Sequence, residues 1–186
     1  MTRTPFISYT IYAFSKSERT RLLAACSTMA DYLLILMGIR YGFRREDIVK
    51  IKVPNIDLDN AMLIYYDEKK NKDRTIPLEQ DVVVELRKYI NTLKDKNGYL
   101  FPWQDGTTAW RHLQDICAVA KIPVPTGRTG RPFHSLRGTC VKMRQEQGWT
   151  LNEVAALIGD DVETVAKHYA TVTPGELAEK MKGSVP

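Results

Sequence analysis

Helical spacing of apolar residues dominates the chain, broken once by strand-like stretches. The run 29–39 is apolar on nearly every side and predicts a buried helix. Ile48 and Ile51 continue a helical pattern over 46–51, up to Pro54. Val83, Leu86, Ile90 and Leu93 mark an amphipathic helix ending before Asn97-Gly98, and Trp110, Leu113 and Cys117 mark another. Between these sets, 60–66 and 74–78 read as paired strands, with the polar DEKKNKD as their hairpin. A short piece at 52–56 would complete an antiparallel sheet of about three strands. Ser15-Lys16-Ser17-Glu18 is a capping-box pattern opening a helix to about Cys26. Thr150-Leu151-Asn152-Glu153 is a second, and Thr173-Pro174-Gly175-Glu176 a third with proline at the first helical position. The expected fold is α+β, mainly α: one helical domain with a small three-stranded antiparallel sheet.

Composition narrows the class. With 44% hydrophobic and 26% charged residues in 186, the chain can bury a proper core. No window approaches eighteen consecutive apolar residues, and MTRTPFISY lacks a secretory apolar stretch, so the expectation is a cytoplasmic protein with no membrane partner. Cys26, Cys117 and Cys140 are far apart and odd in number, with no metal-type spacing, and are expected as reduced thiols. The net charge of +5 favours an anionic partner. Its clustering in GFRRED, DEKKNKDR, PTGRTGRPFHSLRG and VKMR suggests a basic surface, although solvated loops would look the same.

The stretch PFHSLRGT raises the first chemical question. His134 and Arg137 lie three apart at a helix start, so their nitrogens share one face and could cradle an anion, most simply a phosphate. Alone the pair proves little, since many polar helix turns carry such residues.

The order of motifs along the chain adds the missing weight. Gly42-Phe43-Arg44, with Asp47 three residues on and Ile48 and Ile51 beyond, resembles the first arginine motif of the tyrosine recombinases, the phage-integrase family. Gly38-Ile39-Arg40 also fits Gly-x-Arg, but Phe43 stands three residues after Arg40 where an acid is wanted. Lys69, eight residues before Pro77, resembles the family's hairpin lysine, with Lys70 and Lys72 as near misses. His134-Ser135-Leu136-Arg137 is similar to the family's His-x-Leu-Arg box. Leu157-Ile158-Gly159-Asp160 resembles its last box, with Tyr169 nine residues after Asp160. These motifs span roughly residues 15–182.

The resemblance implies a site-specific recombinase (integrase) catalytic domain of a mobile-element or nucleoid enzyme. It would cleave and rejoin double-stranded DNA through a 3′-phosphotyrosine, with no metal, nucleotide or other cofactor. Its implied catalytic residues are Arg44, Lys69, His134, Arg137 and Tyr169. Guanidinium forks suit the charge that builds on non-bridging phosphate oxygens. A lysine on the hairpin can protonate the leaving 5′-oxygen. The Tyr169 phenol, with an ordinary pKa of about 10, needs proton removal or a cationic field. Asp47 would orient Arg44 or His134. Arg45, Lys70, Lys72, Arg128 and Arg131 are implied DNA contacts, the last two in a loop, 126–131, that reads equally well as plain surface.

Two positions carry a competing reading. Val162, Val165 and Tyr169 share a face, so Tyr169 also fits an apolar core. Asp160 departs from the family's usual His or Trp; an ionised carboxylate would repel a phosphate, and Asp160-x-x-Glu163 instead suggests an N-cap for the helix carrying Tyr169.

The expected organisation is a linker remnant over 1–14, a catalytic domain over 15–172 and a terminal helix over 173–186 that by family analogy docks onto a neighbouring protomer. The resemblance implies a tetramer on DNA for a full-length protein and a monomer for the isolated domain. Because the first motif-bearing helix starts near Ser15, the usual preceding DNA-binding domain has no room here, as in an excised domain or a natural truncation. Two other readings share these residues: type IB topoisomerase-like relaxation, and a catalytically weakened DNA-binding module. A metal-dependent nuclease fits less well, as no carboxylate–histidine cluster has ligand spacing.

Overall fold

Ser15 opens the first helix through both arms of a capping box: Glu18 donates its backbone N–H to the Ser15 hydroxyl at 3.3 Å, and its carboxylate accepts from the Ser15 N–H at 2.8 Å. In this computed structural model, residues 11–124 and 132–169 are described, together with positions 178, 181 and 182. Among the described residues the order is α1 (Lys16–Ala24), α2 (Met29–Tyr41), α3 (Arg45–Ile48), β1 (Ile56–Asp57), β2 (Met62–Asp67), β3 (Lys72–Pro77), α4 (Gln80–Thr92), α5 (Gly106–Val119), α6 (Pro132–Glu146), α7 (Leu151–Ile158) and α8 (Val162–His168).

The all-round apolar α2 is the axis of the core, as its sequence predicts. Leu33, Leu34, Ile35 and Met37 are fully buried, and α1, α4, α5 and α6 pack around it. α4 turns Val82, Val83, Leu86, Tyr89 and Ile90 inward, which is the predicted amphipathic stripe. The three strands form one antiparallel sheet in the order β1-β2-β3, with Leu63 opposite Ile76 and Asp67 opposite Lys72. A smaller apolar cluster joins Cys140 and Val141 of α6 to Val154, Ala155 and Ile158 of α7, Val165 of α8, and Tyr169. Mainly helical with a small sheet, the fold is the α+β class expected.

Two local expectations change. The strand expected at 52–56 shrinks to Ile56–Asp57, because Val53–Asn55 is a 3₁₀ turn around Pro54, which has no N–H for a ladder. α3 stops at Ile48 rather than Ile51, with Val49 as C-cap; Ile51 is still buried, its carbonyl accepting from the Leu100 N–H at 2.8 Å. The 126–131 loop, the third capping box and most of the terminal segment lie outside the described residues. Among the described residues no helix is long and apolar enough to cross a membrane.

Candidate active site

α2 ends at Gly42 in the left-handed region, at φ 62°. A side chain there would be strained, and its Cβ would lie 2.8 Å from Ile158 Cγ2 and 3.2 Å from Cys140 Cβ. This close approach lets the chain reverse tightly against α6 and α7. Phe43 packs edge-on against Tyr65 of β2, with ring centroids 4.8 Å apart. Arg44, at the N-cap of α3, is thereby aimed between the sheet and the α7–α8 turn.

Arg44 is held from several sides. Its Nη1 donates to Asp67 Oδ1 at 2.9 Å and lies 3.6 Å from Asp47 Oδ2; its Nη2 donates to the Gly159 carbonyl at 2.8 Å. Arg40, the other Gly-x-Arg arginine, instead pairs with Glu79 at 3.2 Å and Asp81 at 2.5 Å at the start of α4. Asp47 also accepts from the Glu68 N–H at 3.2 Å. Burial pushes its carboxyl upward, an effect only partly offset by that hydrogen bond and the arginines.

Arg137 lies on α6 with its side chain 3% exposed. Its Nη1 donates to the Gly42 carbonyl at 2.6 Å and its Nη2 to Asp160 Oδ2 at 2.9 Å. Tyr169, the C-cap of α8, is buried in the smaller apolar cluster. Its phenol nevertheless lies within the field of the Arg137 guanidinium. The ring packs in the core, as the apolar face predicts, while the phenol is exposed to the charges of Arg137 and Arg44. Burial raises the phenol pKa above its ordinary value, Arg137 and Arg44 pull it down, and Asp160 pushes it up.

Lys69, on the β2–β3 hairpin, lies with its Nζ 3.4 Å from Asp160 Oδ1, while Lys70 Nζ pairs with Asp161 at 3.0 Å. The near miss thus points to the neighbouring carboxylate. His134 faces a groove of about 650 Å³ that Arg44, Lys69, Phe133 and Trp110 also line. The structure brings Arg44, Lys69, Arg137 and Tyr169 together around Asp160, with His134 at the adjoining groove. Arg45 pairs with Glu46 at 2.7 Å, and Lys72 is exposed at the start of β3. Arg128 and Arg131 lie outside the described residues.

The cap expected of Asp160 is not formed. Asp161 is the N-cap residue of α8 and makes no side-chain cap bond, while the Asp160 carboxylate, 5% exposed, turns inward to Arg137, Lys69 and Arg44 at 2.9, 3.4 and 3.7 Å. Three cations outweigh one helix N–H as partners for a carboxylate. They hold its pKa below the ordinary range, against the opposing effect of burial.

Two residues escaped the sequence reading. Asp67 is fully buried and accepts from Arg44 and from the Lys70 N–H at 3.0 Å. Its signal lay in the period-two pattern: Leu63, Tyr65 and Asp67 all point inward on β2, so the last is a carboxylate in an apolar phase. Arg74 of β3 donates to Tyr65 Oη at 2.7 Å and to the carbonyls of Ala156 and Leu157, tying the sheet to the end of α7.

The fold thus gathers the hairpin Lys69, the half-buried Arg44 and the buried Arg137 on one side of Tyr169. The phage integrase family profile matches residues 13–176, and the chain belongs to that family. The tyrosine recombinase XerA of Pyrococcus horikoshii is 23% identical over 176 residues, covering 91% of this chain and 60% of that protein. XerA of Pyrococcus furiosus is 26% identical over 160 residues, covering 82% and 54%. The chain thus spans little more than half the length of these curated relatives. A crystal structure of XerA recombinase shares the fold at a TM-score of 0.78 and 22% identity, over 95% of this chain and 66% of that one. The catalytic domain of bacteriophage HP1 integrase does so at 0.69 and 20%, over 94% and 95%.

Proposed function

We propose that this chain is the strand-cleaving and rejoining unit of a site-specific DNA recombinase. The observation that carries the reading is the convergence of Arg44, Arg137 and Lys69 on one anion-sized position beside the Tyr169 phenol. The chain's similarity to the tyrosine recombinases XerA supports the same activity. Solved neighbours include the Tn1549 transposon integrase in complex with transposon right end DNA, at a TM-score of 0.66 and 16% identity, which supports DNA as partner.

In the reaction, the Tyr169 oxygen forms a bond to the scissile phosphorus while the bond to the 5′-oxygen breaks. Lys69 gives a proton to that leaving oxygen, and the phenol proton passes to His134 or water. Arg44 and Arg137 hold the non-bridging oxygens as their charge grows. Asp67 and Asp47 keep Arg44 in place. The 3′-phosphotyrosine conserves the bond energy, so the return step needs no nucleotide. No metal or other cofactor enters this scheme, and four protomers would act together on paired DNA sites in the cell's DNA compartment.

The test uses the domain with nicked duplexes in EDTA. After denaturation and nuclease digestion, mass spectrometry should find a nucleotide adduct on Tyr169 that is missing in Tyr169→Phe. DNA binding without any adduct, in the domain and in a protein with a preceding DNA-binding domain restored, would instead support a binding module.

A further inference from the structure

We propose that Asp160 is a resident stand-in for the scissile phosphate: in the DNA-free protein its carboxylate occupies the anion position, and DNA must displace it before strand cleavage. The proposal rests on the strand-cleavage reading above.

The carboxylate has the contacts a phosphate would need. Oδ2 accepts from Arg137 Nη2 at 2.9 Å and lies 3.7 Å from Arg44 Nη2, while Oδ1 faces Lys69 Nζ at 3.4 Å. Guanidiniums on one oxygen and the ammonium on the other is the division of labour expected between a diester's non-bridging and leaving oxygens. Asp67 and Asp47 offset the charge of Arg44 alone, so the Asp160 carboxylate is what offsets the mutual repulsion of Arg44, Lys69 and Arg137 where they converge. The N-cap position of α8 belongs to Asp161, so helix capping does not account for the placement of Asp160.

The backbone around it is anchored. The Asp160 N–H donates to the Ala155 carbonyl at 3.1 Å, and the Gly159 carbonyl is held by Arg44. Displacement is therefore a side-chain rotation, with α8 and Tyr169 left in place. The charged and titratable groups facing the carboxylate are Arg44, Lys69, Arg137 and Tyr169, with Asp47 and Asp67 behind Arg44. Its negative charge also disfavours ionisation of the phenol, so the resting site is both filled and quiet.

The test compares Asp160→Asn with Asp161→Asn, which removes the same charge one residue away, next to Lys70. The probe is a nicked duplex of arbitrary sequence at fixed salt. Asp160→Asn should bind about tenfold more tightly than the wild type and form the Tyr169 adduct faster, whereas Asp161→Asn should gain about twofold or less. Equal gains in the two variants, or weaker binding by a folded Asp160→Asn, would overturn the proposal. Should Asp160→Asn fail to fold, the Asp160 carboxyl ¹³C resonance of the wild type decides: it should shift towards a solvated value as duplex is added, and an unmoved resonance at saturation overturns the displacement. An adduct in the wild type with no difference between the variants sinks this idea alone. Tighter binding by Asp160→Asn with no adduct in any protein, including one with a preceding DNA-binding domain restored, sinks the cleavage reading and leaves the occupied anion position intact.

Discussion

Arg44 and Asp67 form a pair in which the carboxylate is fully buried and the guanidinium donates to it at 2.9 Å. The pair crosses from the start of α3 to the end of β2 and sets the direction of the Arg44 fork. Asp67→Ala should therefore lower stability by about 1.5–3 kcal/mol, the range for a hydrogen bond to a charged group. It should also slow adduct formation on Tyr169. Chemical denaturation and the adduct assay read the two effects separately. Unchanged cleavage in a folded variant would show that Arg44 needs no such support.

Arg137→Lys keeps the charge and loses the fork. One ammonium cannot reach both the Gly42 carbonyl and the phosphate position that the two Nη atoms serve. Adduct formation should fall by about 10²–10³-fold, the cost of losing one preorganised donor to a developing oxyanion. Binding of non-cleavable duplex should change much less.

Gly42→Ala combines a positive φ with a clash. The new Cβ would meet Ile158 Cγ2 at 2.8 Å, and the carbonyl that steadies Arg137 belongs to the same residue. A loss of about 2–3 kcal/mol is expected from left-handed strain plus overpacking. A melt matching the wild type would show that the α2 terminus relaxes freely.

The pH dependence of stability has two opposing carboxylates. The cluster of Arg137, Lys69 and Arg44 lowers the Asp160 pKa despite burial, so its contribution is present above its unfolded pKa and is lost as pH falls through the folded one. Asp47 is raised, chiefly by burial, so its contribution is present at low pH and is lost as pH rises through its folded pKa. Melting temperatures from pH 3 to 8 should show Asp160→Asn losing most at neutral pH and converging on the wild type below about pH 4. Asp47→Asn should show its relative gain at neutral pH. At the alkaline end, the raised phenol of Tyr169 contributes stability below about pH 10 that is lost as it ionises.

The thiols offer a simple check on burial. Burial pushes Cys26 and Cys140 up to about 12 and Cys117 up to about 11. Maleimide at pH 7.5 should label all three slowly in the folded protein and rapidly in denaturant. Rapid labelling of Cys140 without denaturant would contradict the packing of α6 on α2.

Much of the architecture could be read from local patterns. The all-apolar run became the central α2, the stripe of Val83, Leu86 and Ile90 became the buried side of α4, and both capping boxes within the described residues are formed at Ser15 and Thr150. Asp160 resisted because its choice lay between a local partner, the α8 N-terminus, and partners 23 and 91 residues away in sequence. Asp67 resisted because strand period shows which way a side chain points, without naming what waits there.

The sequence by itself determined the helices, the hairpin and the motif spacing that led to the family, since these rest on contacts within a few residues. Only the tertiary structure decided that Tyr169 packs in the smaller apolar cluster while its phenol feels Arg137 and Arg44, and that Asp160 sits among Arg44, Lys69 and Arg137. The physical reason is range. Propensity and capping act over one turn, whereas the state of a charged group is set by whichever charges the fold brings within a few ångströms.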